Sequence, residues 1–243
     1  MKRLHFQHID STNAYLTKHY QELEHMTVMT TDHQSHGVGR ISSVWYGDEK
    51  SILCSILLKD DLSGIDITLL PLLAAKSLHV VLAKYLPDLK IKWPNDLLIH
   101  GLKISGILVK SIIKSNQVLA VIIGFGMNIN QDTFDDAIKG IATSLYLETH
   151  HIYDKENILN EVLHQIEHDL VSITTDKQII IDYCNQYSAL VGQEVNFQDN
   201  HQTYHGIAQH MNQDGHLVIK VDDQSFVLHS SDMIKVRLNH HDL

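Results

Sequence analysis

The segment that most constrains this chain is Lys92-Trp93-Pro94-Asn95-Asp96, followed seven residues later by Lys103-Ile104-Ser105-Gly106-Ile107-Leu108. Residues 89–92 alternate like a strand, and Pro94 then withholds a ladder donor and breaks the pairing. Asn95 and Asp96 stand just past the break, where short polar side chains bond to their own backbone. Leu97 to Ile99 resume an apolar run, His100-Gly101 reads as a tight turn, and Lys103 opens the returning strand. The segment predicts a rigid hairpin that gathers cations and polar groups in hydrophobic surroundings. Taken alone, it also fits an ordinary hairpin with surface Lys and Asp residues.

These residues resemble the signature of the biotin protein ligases, in which a Lys-Trp-Pro-Asn-Asp segment precedes a Lys-(Ile/Leu)-x-Gly-Ile-Leu segment. The resemblance extends from about Ile9 to Arg237. It implies an α+β chain, with a mixed β-sheet packed against helices in a catalytic domain like that of class II aminoacyl-tRNA synthetases. An SH3-like β-barrel follows, giving expected domains of 1–188 and 189–243.

Composition agrees with a globular protein. The 243 residues are 44% hydrophobic and 20% charged, enough for one sizeable core and a smaller unit. A formal charge of −10 argues against a nucleic-acid surface, which needs clustered Lys and Arg. Cys54 and Cys184 sit in apolar segments and read as buried thiols. No signal peptide or membrane-spanning run is found, so a cytoplasmic location without membrane contact is expected. The 19 histidines include the i,i+4 pair His164 and His168 and the adjacent pairs His150-His151 and His240-His241. None has a Cys or carboxylate at a known ligand spacing, and no metal cluster is expected.

Along the chain, residues 4–9 read as a strand. Asp10-Ser11-Thr12-Asn13 opens a helix to about Tyr20, with residues suited to capping. Capping alone explains them; the resemblance adds that Ser11, Thr12 and Asn13 hydrogen-bond the biotin ureido ring. Gln34-Ser35-His36-Gly37-Val38-Gly39-Arg40 reads as a Gly-bearing loop. In the family this place holds an Arg-rich loop that closes over the ligand and its adenylate. Gln34, Gly37, Gly39 and Arg40 match it, whereas Val38, Ile41, Ser42 and Ser43 replace Arg-Gly-Arg-type residues.

Ile52–Leu58 reads as a strand, Pro71–Tyr85 as a helix, and Lys114-Ser115-Asn116-Gln117 as a turn. Val118–Asn130 reads as a strand buried on both faces. It ends in Gly124-x-Gly126-x-Asn128-x-Asn130, where the family places a nucleotide contact. Ala142–Leu145 fits a family Ala-x-Ser-Leu element. Helices are expected from Asp154 to about Ile173 and over Lys177–Leu190. Four short strands follow: Val191–Val195, Tyr204–His210, Leu217–Val221 and Ser225–His229.

The resemblance implies a two-step reaction. Biotin and ATP, with Mg²⁺, form biotinyl-5′-AMP, and a lysine of a biotin carboxyl carrier domain of acetyl-CoA or pyruvate carboxylase then takes the biotin. Implied catalytic residues are Lys103, Asp96 and Arg40. Lys103 neutralises the anions, and Asp96 positions the amine of a lysine whose free pKa is ~10.4. Ser11, Thr12, Asn13, Gln34, Gly37, Lys103 and Gly106 are implied to bind biotin. Arg40, Lys92, Trp93, Asn95, Asn128 and Asn130 are implied to bind the nucleotide, although packing alone would explain Trp93.

Two alternatives stay open. One is a degenerate paralogue that binds biotin or its adenylate without efficient transfer. The other is a lipoate- or octanoate-type ligase, against which Lys-Trp-Pro-Asn-Asp and Ser-Thr-Asn speak. Repressor members of the family carry a DNA-binding domain ahead of Ser-Thr-Asn, and ten residues stand there in this chain, so no DNA binding is expected. Homodimerisation is left open.

Overall fold

The computed structural model describes residues 1–40, 43–60, 62–199, 202–229 and 236–238. Ile41, Ser42 and the His240-His241 pair lie outside them.

The fold is α+β, built on a seven-stranded mixed sheet in the order β1-β2-β3-β7-β6-β5-β4. Its strands are β1 (Arg3–Ile9), β2 (Thr27–Gln34), β3 (Ser51–Lys59), β4 (Lys90–Lys92), β5 (Asp96–Ile99), β6 (Leu102–Lys114) and β7 (Gln117–Asn128). The β1–β2 pair is parallel and every other neighbour antiparallel. The chain can reverse so tightly because His100 and Gly101, and then Ser115 and Asn116, all take positive φ. Two-residue turns of that kind match the twist of the strands they join.

Side-chain alternation on β3 decides what covers the sheet. Ile52, Cys54, Ile56 and Leu58 enter the main core with helices α2 (Leu70–Leu82) and α4 (Lys155–Thr175). Leu57 points the other way, joining Met29, Ala120, Ile122 and Leu16 of helix α1 (Thr12–His19) in a smaller core. Helix α2 is buried nearly all round, which its run Leu72-Leu73-Ala74-Ala75 permits, and it carries Lys76, Ser77 and His79 inside with it. Asp169 of α4 receives Lys76 Nζ at 2.7 Å and Ser77 Oγ at 2.7 Å, so the buried charge is paired. Asp154 caps α4 by accepting from the Glu156 and Asn157 amides, and Ser144 caps the short α3 (Leu145–Thr149).

Helix α5 (Gln178–Gln186) stops before the expected Leu190. The Tyr187 carbonyl accepts from Ile91 N at 2.8 Å, and Ala189 N donates to Ile91 O at 2.8 Å. The free edge of β4 therefore claims the backbone that would have continued the helix. Similarly, β7 ends at Asn128, two residues short of expectation, and α2 ends at Leu82 with Ala83–Tyr85 in a turn.

The C-terminal strands are β8 (Glu194–Asp199), β9 (Gln202–Met211), β10 (Leu217–Val221), β11 (Gln224–Leu228) and β12 (Arg237–Leu238). They form a five-stranded antiparallel sheet in the order β11-β10-β9-β8-β12, of the SH3-like kind expected. The expected strand at Val191 starts only at Glu194, because Gly192 turns the chain at positive φ. This sheet shares one continuous core with the larger one through Val195, Phe197, Ala208, Leu217 and Ile219. Trp93 Nε1 donates to Gly215 O at 2.9 Å, and Asn185 exchanges two hydrogen bonds with the Met211 backbone. Among the described residues no helix is long and apolar enough to cross a membrane.

Candidate active site

A cavity of about 260 Å³ opens where the first turn of α1, the end of β2, the β4–β5 hairpin and the glycine-bearing starts and ends of β6 and β7 converge. Its wall falls into two chemically distinct parts.

One part is neutral. Ser11 accepts from the Ala14 amide at 3.4 Å, so it does cap α1, and it lines the cavity as well. Thr12 N donates to Gln34 Oε1 at 2.8 Å and fixes the Gln34 amide. Asn13 lies across the backbone of Gly124; a Cβ there would stand 1.9 Å from Asn13 Nδ2. Asn13 is buried and its Oδ1 has no hydrogen-bond partner, so the wall holds an unsatisfied acceptor beside a fixed amide.

The other part is charged. Lys92, Lys103, Arg40 and Arg237 line it, with Asp96 the one carboxylate among the described lining residues. In a chain of net charge −10, four cations around one carboxylate make a local anion site. Lys103 Nζ stands 2.6 Å from Asp96 Oδ1, an ion-pair distance at an angle that makes no directed hydrogen bond, leaving that oxygen without one. Burial pushes the Lys92 ammonium below its usual pKa; Asp96 opposes this, while Lys103 and Arg237 add to it. Arg40 Nη1 donates to Asn95 Oδ1 at 3.3 Å, and Asn95 Nδ2 donates to Ile107 O at 2.7 Å. Asn95 thereby ties the arginine loop to β6.

Most of the residues expected from the sequence meet at this cavity: Ser11, Thr12, Asn13, Gln34, Arg40, Lys92, Trp93, Asn95, Asp96, Lys103 and Gly106. Trp93 is a strut, 3% exposed and bonded to the turn between β9 and β10. Three expected residues lie elsewhere. Gly37 packs on the Trp45 carbonyl, where a Cβ would meet oxygen at 2.5 Å, and lines a neighbouring cavity of about 380 Å³. Asn128 is buried and donates to Thr143 O at 3.0 Å, with its Oδ1 unpartnered. Asn130 spends both ends of its amide on the Tyr153 backbone, donating at 2.9 Å and accepting at 3.0 Å, which ties β7 to the approach to α4. Among the described residues no group of three or more His, Cys, Asp or Glu is placed to hold a metal ion.

Trp45 and Arg237 are wall residues that were not anticipated from the sequence. Trp45 lies over Gly106 and Gly126, where an added Cβ would meet its ring at 2.8 and 2.2 Å, and Lys103 Nζ stands 5.4 Å from its centroid. The glycines thus admit an indole. A bulky aromatic in an otherwise polar stretch was the available signal. Arg237 arrives from β12 at the far end of the chain. The chain has three arginines, Arg3, Arg40 and Arg237, and two of them line this cavity. That scarcity was legible, but its meaning needed the fold.

Residues 5–128, half of the chain, match the Biotin/lipoate A/B protein ligase family. The Bifunctional ligase/repressor BirA of Bacillus spizizenii is 31% identical over 212 residues, covering 85% of this chain; the chain spans 65% of that relative's length. The Biotin--[acetyl-CoA-carboxylase] ligase of Paracoccus denitrificans is 31% identical over 157 residues, covering 62% of this chain and 65% of the relative. A biotin protein ligase from Aquifex aeolicus, solved in complex with biotin and ATP, superposes with a TM-score of 0.86 at 23% identity, over 98% of this chain and 99% of that one. With the family model matching half of the chain and the fold superposing on a solved biotin protein ligase, the chain belongs to the biotin/lipoate A/B protein ligase family.

Proposed function

We propose that this chain is an ATP-dependent biotin–protein ligase. The biotin carboxylate attacks the α-phosphorus of ATP, forming biotinyl-5′-AMP and releasing pyrophosphate. A carrier-domain lysine then attacks the acyl carbon, forming an amide and releasing AMP. The observation that carries this reading is the division of one cavity into a neutral hydrogen-bonding wall and a cationic wall. A neutral cyclic urea suits the first, where Gln34 and Asn13 offer a donor and an acceptor. The carboxylate and phosphates suit the second, where Lys103, Lys92, Arg40 and Arg237 face the charge that develops as two anions meet. Mg²⁺ enters as part of the ATP substrate, since the charged wall consists of cations around a single carboxylate. In the second step Asp96 orients the incoming amine and accepts its hydrogen bonds. We assign the chemistry to residues 1–188, with residues 189–243 contributing Arg237, and the setting to the cytoplasm.

The test is direct: incubate the protein with biotin, MgATP and a biotin carboxyl carrier domain, and follow carrier mass and AMP. A mass gain equal to one biotin with stoichiometric AMP supports ligation. Pyrophosphate release without carrier modification would instead favour an adenylate-binding paralogue, the reading that Val38 and Ser43 on the loop suggest. Activity on lipoic or octanoic acid but not biotin would favour the third class.

A further inference from the structure

Ser55 interrupts the apolar run of β3, Ile52-Leu53-Cys54-Ser55-Ile56-Leu57-Leu58, with a hydroxyl that is fully buried. It is not on the cavity wall. Its backbone is held in the sheet between Met29 of β2 and Gly124 of β7. Its Oγ lies 2.7 Å from Thr12 Oγ1. Ser55 and Gly124 therefore stand side by side beneath the first turn of α1, one meeting Thr12 and the other admitting Asn13.

We infer that Ser55 is a positioning residue for the neutral wall, setting the donor direction of Gln34 through Thr12. The inference rests on the proposed function for its ligand, and its logic is one of proton direction. Gln34 Oε1 accepts from Thr12 N at 2.8 Å; an amide –NH₂ in that place would set donor against donor, so the oxygen must face Thr12. The Thr12 hydroxyl lies 3.2 Å from the same oxygen. Thr12 has one hydroxyl proton and two neighbours that could take it. Were it given to Ser55, the Ser55 proton would have no acceptor in a dry interior, which buried polar groups avoid. The arrangement that satisfies both runs from Ser55 to Thr12 to Gln34. Gln34 Oε1 is then doubly engaged, and successive hydrogen bonds polarise one another. The Gln34 –NH₂ is left as the donor offered to the cavity, whose wall also holds the unpartnered Asn13 Oδ1. A ligand with a carbonyl oxygen next to an N–H, as in a cyclic urea, answers both. An acid with only an apolar tail answers neither, so Ser55 contributes to selecting the substrate without touching it.

The test compares Ser55→Ala and Ser55→Thr with the unmodified protein, alone and in a Thr12→Val background. Ser55→Ala is expected to raise KM for biotin about tenfold, ~1.4 kcal/mol by the free-energy conversion. KM for ATP and kcat should stay within about twofold, since a hydrogen bond lost from ground and transition states alike changes binding alone. Ser55→Thr should restore the biotin KM, and Ser55→Ala should add nothing once Thr12 is Val. An unchanged biotin KM, equal rises for biotin and ATP, or effects that multiply in the double variant would each overturn the inference. A second readout needs no substrate. The side-chain amide ¹H–¹⁵N resonances of Gln34 should move in Ser55→Ala and return in Ser55→Thr. Identical resonances in all three proteins would overturn the role of Ser55. Failure of the unmodified protein to bind or turn over biotin would instead count against the proposed function.

Discussion

Replacing Lys103 with alanine separates the chemistry of the cavity from its architecture. The Lys103 ammonium stands 2.6 Å from Asp96 and over the face of Trp45, with about a third of the side chain exposed to solvent (34%). Two unit charges 4 Å apart interact by about 4 kcal/mol at the effective dielectric of a protein surface. Removing one donor aimed at developing charge costs ~2.7–4 kcal/mol of transition-state stabilisation, or about 10²–10³ in rate. The structure favours the lower end. Lys92 lies close enough to feel the Lys103 charge, and it remains beside Asp96 as a second cation when Lys103 is removed. Biotin-dependent pyrophosphate release should therefore fall about 10²-fold in Lys103→Ala. Lys92→Ala/Lys103→Ala should lose more than the product of the single losses. Stability should barely respond, because a partly exposed ion pair contributes at most ~1 kcal/mol. For a chain of this size that is a melting shift of about 2–4 °C or less. Rapid-quench measurement of pyrophosphate, paired with thermal melts, checks both. A variant with near-normal pyrophosphate release would refute the assignment, and so would one whose lost activity tracks a large drop in melting temperature.

Asp96→Asn should spare adenylate formation and slow transfer to the carrier lysine by about 10²-fold or more, read from single turnovers of preformed adenylate. Arg237→Ala should speed dissociation of a non-hydrolysable adenylate analogue, and Val38→Arg should slow it, each by about tenfold for one charge-assisted hydrogen bond of ~1.5 kcal/mol; no change in either would remove the cationic wall from adenylate retention. Asp169→Ala strands the buried Lys76 ammonium and should cost ~3–5 kcal/mol, whereas adding Lys76→Met should recover most of it, as chemical denaturation will show. His79 is held below its ordinary pKa of 6.5 mainly by burial, with its ring bonded to Tyr183 and Leu89. The unfolded chain thus takes up that proton first. The stability this neutral ring contributes is complete above pH 6.5 and is lost as pH falls toward its folded pKa. His79→Gln should flatten that part of the stability profile.

The large elements were legible because their signals are local. The β4–β5–β6 hairpin is written in Pro94 and in the His100-Gly101 turn. The reach of α4 follows from the Asp154 cap and the stripe from Ile158 to Leu170. Boundaries failed where a distant partner outbid local preference, as when β4 took the backbone of Tyr187 and Ala189 from α5. The site behaved in the same way. Ser11, Lys103 and Asp96 lie in compact motifs, and the fold brought them together. Asn130 lies away from the cavity: an Asn at the end of a strand can serve a ligand or a neighbouring backbone, and here the Tyr153 backbone takes both ends of its amide. Trp45 and Arg237 left only faint signals, a lone aromatic and a scarce residue type, and Ser55 left none, since each acts through a partner far away in sequence.

The cavity wall draws on Ser11 near the start of the chain and on Arg237 near its end. A ribosome adding roughly 5–20 residues per second makes these two many seconds apart. During that interval the nascent protein can pair β1 to β7 and set the neutral wall, but the cation from β12 is still to come. Trp93 likewise waits for the Gly215 carbonyl before its indole N–H is satisfied. On the proposed function, synthesis itself therefore orders the assembly: recognition of the neutral ring precedes full capacity to hold a reactive acyl phosphate. A chain released early would lack the last positive charge and would carry an unsatisfied strut at the root of its β4–β5 hairpin.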